Sequence, residues 1–111
     1  MNNRIKVEEG SENIFKDLGF SDEVAEQELL KAQLGAEVFR ILKERKLTEG
    51  EAAKLLDVKH LDISRLKAAK LSDYSVDRLM IFLNRLNHDI EIRIIPSQER
   101  EGHQRVVSVE L

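Results

Sequence analysis

The sequence predicts a mainly α chain of about five helices, closed by one or two short C-terminal β-strands. Two observations carry this. Between residues 14 and 87, apolar residues recur at three- and four-residue steps, in segments of which three begin at Ser or Thr. In residues 89–95, and again in 105–111, the period changes to alternation. The whole chain has 111 residues, 41% hydrophobic and 35% charged, which suits one small globular domain and not a disordered one.

The first ten residues show no periodicity and are expected to form an arm. Ile14, Phe15, Leu18 and Phe20 then cluster around Gly19, the pattern of a short helix or turn. Together, residues 1–20 make an N-terminal arm and small apolar cluster. Ser21 caps the next segment, with Asp22 and Glu23 suited to a helix's first turn. Leu30, Leu34, Val38, Ile41 and Leu42 carry the helical period to about Lys46, and Gly35 marks a bend or a close contact. Thr48 and Glu51 form a capping box that starts a helix at about Glu49 and lets it run to Leu56. Another runs from His60 to about Ala69. Ser75 caps the last, from Val76 to about Asn87, with Val76, Leu79, Met80, Leu83 and Leu86 on one face. Residues 21–88 form the central domain.

In residues 89–95, DIEIRII, isoleucines alternate with Glu91 and Arg93, and Pro96 ends the run. RVVSVEL, residues 105–111, alternates again. An isolated hairpin is marginal in water, so these strands are expected to lie on the helices or to pair across a dimer. A chain this small also gains from a partner surface.

There is no cysteine, hence no disulfide and no thiolate metal site. The N-terminus has no signal-peptide pattern, and the longest apolar run, LMIFL, is far too short to span a bilayer. A cytoplasmic protein is expected. His60, His88 and His103 lack ligand spacing, and the five glycines form no phosphate loop. No metal, cofactor or enzymatic activity is expected.

Net charge is −3, yet residues 43–70 carry eight basic and five acidic side chains, a local +3 on a body of −6. Such a surface can attract phosphates, because the field acts over about 10 Å. Within it, EAAKLLDVKHLDISRLKAAK reads as two short helices joined by a tight turn. Ala52 and Ala53 are small where two helices would cross, and Leu56 and Val58 flank the turn. Ile63 and Leu66 point inward from the second helix.

The segment KLTEGEAAKLLDVKHLDISRLKAAK resembles the Cro/CI-type (XRE) helix-turn-helix regulators, and more narrowly their HigA-type antitoxin branch. DLGFSDEVAEQELLKAQL resembles the same branch, so the likeness covers residues 15–96. It implies a λ-repressor-like fold and a homodimer that binds double-stranded DNA in a sequence-specific way. It further implies an antitoxin that represses its own operon and neutralises a RelE-like ribonuclease toxin. If the second helix of the unit enters the major groove, Lys59, His60, Leu61, Ser64, Arg65 and Ala68 face the bases, with Arg65 suited to guanine and Leu61 to a thymine methyl. Thr48, Lys54, Lys67 and Lys70 are placed as phosphate contacts. Three residues depart from the family pattern: Asp57 replaces a glycine, Glu49 a glutamine, and Asp62 a basic or DNA-contacting residue. The two carboxylates near the phosphates favour a rival reading, a protein-binding module with a vestigial helix-turn-helix.

Overall fold

The computed structural model describes residues 13–109. The arm expected over residues 1–10 and the last two residues of the expected second strand lie outside that range. Five helices follow in order: α1 (Ile14–Asp17), α2 (Asp22–Glu44), α3 (Glu49–Leu56), α4 (His60–Lys67) and α5 (Val76–Arg85).

Local chemistry explains the boundaries. The Asn13 side chain caps α1 by accepting from the Phe15 N–H, and its amide donates to the Ala25 carbonyl, tying α1 to α2. Gly19 then turns the chain with φ +95°, and Phe15 meets Phe20 edge to face at 5.9 Å. Ser21 accepts from the Val24 N–H and Ser75 from the Arg78 N–H, so the hydroxyls visible in the sequence cap α2 and α5. Helix α2 stops at Glu44, two residues short of the expected end, because Lys46 takes a left-handed conformation at φ 55°.

The core lies where α2 crosses α5 and the α3–α4 pair. Leu34, Val38, Ile41 and Leu42 from α2 meet Ala52, Ala53 and Leu56 from α3, Ile63 and Leu66 from α4, and Leu79, Phe82 and Leu83 from α5. Phe82, absent from the apolar face read in the sequence, is among the largest fully buried side chains, whereas Val76 and Met80 are only partly covered. Gly35 is a contact point and not a bend: a β-carbon there would stand 2.5 Å from a Leu71 methyl.

The expected C-terminal strands are not formed. Among the described residues there is no strand at all. Residues 89–95 run without turn or bend, but no ladder partner lies beside them. Residues 103–109 lie along α2, and their polar groups go to side chains. Gln104 N–H donates to Glu26, Val106 N–H donates to Gln33, and Arg40 donates to the Ser108 hydroxyl. Alternation describes how side chains would divide between two faces of a strand, but a strand also needs a second backbone at the right distance. No helix is long and apolar enough to cross a membrane among the described residues.

Candidate nucleic-acid interface

Helices α3 and α4 form the bihelical unit. Thr48 and Glu51 start α3 by reciprocal bonds: the Glu51 N–H donates to the Thr48 hydroxyl at 3.1 Å, and the Thr48 N–H donates to the Glu51 carboxylate at 2.9 Å. Buried Ala52 and Ala53 let α4 approach. The turn is made by Asp57 in the left-handed region (φ 58°, ψ 51°), which brings the Val58 N–H onto the Ala53 carbonyl at 2.9 Å. An aspartate adopts this conformation at lower cost than most residues, so the turn closes without glycine.

Ile63 and Leu66 fasten the inner face of α4 to the core. The opposite face is open. Lys59, His60, Leu61, Ser64 and Ala68 are exposed, and Arg65 is half-exposed. Leu61 stands out at 60% exposure, a large apolar side chain held in water at the centre of this face. Around it, Thr48, Lys54, Lys67 and Lys70 are all exposed. Among the described residues, Lys54, Lys59 and Lys70 have no ion-pair partner, whereas Arg65 meets Asp73 at 3.3 Å and Lys67 meets Glu49 at 3.0 Å. Both pairs are solvent-facing, and such pairs contribute only about 0–1 kcal/mol, so a phosphate or a base edge can displace them.

The two carboxylates that stand out in the sequence have partners inside the chain. Glu49 holds Lys67. Asp62 has a larger structural part, because its two oxygens take two different donors. The Lys59 N–H donates to one at 3.1 Å, at the first turn of α4, and the Tyr74 hydroxyl donates to the other at 2.7 Å. The Tyr74 bond, then the Lys59 amide, then the Arg65 and Arg78 charges hold the Asp62 carboxyl below the usual aspartate range. Burial, followed by the same hydrogen bond, pushes the Tyr74 phenol up to about 12. Tyr74 is in turn packed edge to face on Phe82 at 5.8 Å, and the Arg78 guanidinium lies 5.5 Å from both ring centres. The chain Phe82–Tyr74–Asp62 therefore links α5 to the start of α4.

Sequence reasoning missed Tyr74. The available signal was its rarity: it is the sole tyrosine of a chain without tryptophan, immediately before the α5 cap.

Residues 14–95 match the model of a helix-turn-helix domain family. A solved structure whose name assigns it to the XRE family of transcriptional regulators superposes with a TM-score of 0.69 at 30% sequence identity, covering 79% of this chain and 99% of that one. No curated protein sequence matches.

Proposed function

The chain belongs to the helix-turn-helix family of XRE-type, DNA-binding transcriptional regulators, and from that premise we propose that it binds its operator as a homodimer and represses its own operon. The observation that carries this reading is the outer face of α4: exposed, rimmed with lysines that have no ion-pair partner among the described residues, and fixed from behind by Ile63, Leu66 and the Asp62–Tyr74 bond. In the proposed mechanism two copies place α4 in successive major grooves, about 34 Å apart. Arg65 leaves Asp73 to reach a guanine, Ser64 and His60 offer polar contacts, Leu61 meets a thymine methyl, and Lys59 and Ala68 bound the contact surface. Thr48, Lys54, Lys67 and Lys70 contact phosphates and set register. The protein acts by binding, without catalysis or a cofactor, in the cytoplasm.

The likeness to HigA-type antitoxins supports a second clause: the same chain neutralises a RelE-like toxin encoded beside it. Co-expression tests this clause. Rescue of growth arrest caused by the neighbouring gene product supports it, and arrest unaffected by the chain removes it.

Binding to the chain's own promoter against scrambled DNA, over a range of salt concentrations, tests the repressor reading. Tight, promoter-specific binding that weakens steeply with salt is expected. Arg65→Ala should cost about 1–3 kcal/mol and relax specificity at one base pair, whereas Lys54→Ala should weaken all sequences alike and lower the salt slope by about one. Absence of promoter preference even at low salt would leave the rival, a protein-binding module on a helix-turn-helix scaffold. Glu49 and Asp62 favoured that rival in the sequence. Their internal partners, Lys67 and Tyr74, give both a structural reason to be there.

A further inference from the structure

Residues 89–95 leave α5 as a straight segment with a chemistry the helical body does not use. Ile92, Ile94 and Ile95 are 74%, 93% and 63% exposed, a row of β-branched side chains held in water. No backbone N–H or C=O of this segment bonds to another described residue. An extended edge of this kind is a template for another strand. The sequence of the segment says which strand.

We propose that residues 89–95 pair antiparallel with the same segment of a second copy, in the register that sets Ile92 opposite Ile92. The register follows from charge. Centred on Ile92, the two-fold axis places Glu91 of each copy opposite Arg93 of the other, so the ribbon carries two opposite-charge cross-strand pairs on one face. On the other face Ile92 meets its own copy, and Ile94 meets Ile90. Ile90 already packs against the helical core of its own chain, so each copy's most exposed isoleucine is covered beside the other copy's core. Moving the axis by one residue, to Arg93, would set Arg93 against itself and Glu91 against Ile95. Like charges directly opposite are unfavourable, and that register also sets Ile90 against Pro96, which has no N–H for the ladder. Pro96 stops the ladder at its end, having no N–H to donate. A free two-stranded ribbon is marginal, but here a helical body stands behind each strand through Ile90.

This deepens, and rests on, the homodimer in the function proposed above, and it is tested without DNA. Sedimentation of the full chain should show a monomer–dimer equilibrium. Ile92→Lys, at a side chain already in solvent, should keep the helical circular dichroism and weaken dimerisation at least tenfold. Glu91→Arg alone sets Arg against Arg, and Arg93→Glu alone sets Glu against Glu; each should weaken the dimer about tenfold at low salt. Mixing these two variants restores both pairs in a heterodimer, and an affinity near that of the unmodified chain is the expected result. A chain that is monomeric at every concentration overturns the proposal. So does a dimer indifferent to Ile92→Lys, and so does failure of the mixed variants to recover. Loss of operator binding in Lys54→Ala or Arg65→Ala with the dimer intact would concern the DNA face alone, so the two failures are distinguishable.

Discussion

Helices α3 and α4 have the same length, eight residues, and each carries a carboxylate at its third position, yet they are started by different physics. Helix α3 closes its own first turn, because Thr48 and Glu51 satisfy each other's backbone donors. At the head of α4 stands Lys59, which has no acceptor, so only Asp62 returns a bond to the helix start. The other oxygen of Asp62 is held by Tyr74, twelve residues further on. One helix is fixed by neighbours in sequence and the other from behind by the tertiary structure. The difference suits their parts. In the proposed function α4 presents its front to DNA, and that helix is the one held from its back.

The largest expected effect breaks the rear support directly. Ile63→Ala should destabilise the fold by about 3 kcal/mol in urea denaturation, since the side chain is fully buried between α4 and α2. Next comes the Tyr74–Asp62 bond, read by pH. Burial first, and then the Asp62 bond, hold the phenol's folded pKa above its ordinary value of 10.0, so the stability linked to its protonated form is complete below pH 10 and is lost as pH rises toward 12, on the order of 2–3 kcal/mol for the two causes together. Alkaline absorbance reports it without ambiguity, because the chain has one tyrosine. Tyr74→Phe should flatten that stability profile. At the acid end Asp62 works in the opposite sense: its depressed pKa gives stability above the usual aspartate range that is lost as pH falls through it.

Smaller changes sharpen the comparison. Thr48→Ala should cost about 1 kcal/mol of thermal or urea stability, whereas Lys59→Ser should gain up to about 1 kcal/mol by giving α4 the cap it lacks, while weakening DNA binding. The smallest effect belongs to the turn between them. Asp57→Gly should stabilise by about 0.5 kcal/mol, because relief of the left-handed strain is partly offset by the greater freedom of glycine in the unfolded chain.

The contrast also explains what was legible in the sequence. Ser21, Thr48 and Ser75 announced their helices because a cap acts over three residues. Ile63 and Leu66 announced the inner face of α4, and with it the outer one, because helical geometry leaves no other choice. The Asp62–Tyr74 bond stayed hidden because it joins a helix to a loop twelve residues away, and nothing periodic marks a loop residue. The C-terminal strands failed for a related reason: DIEIRII records which way its side chains face, while the existence of a ladder depends on a second backbone outside the segment. Phe82 was overlooked because the stripe through Val76, Leu79, Met80, Leu83 and Leu86 is narrower than the face α5 buries.

A last consequence follows from Arg45. Its guanidinium, just past the end of α2, donates to the Leu86 carbonyl at the end of α5, forty-one residues away. The carboxyl ends of the first long helix and of the last helix thus share one cation, placed where helix dipoles favour it. In native-state amide exchange, the final turns of α2 and α5 should open together with a common free energy, and Arg45→Ala should let them fray separately.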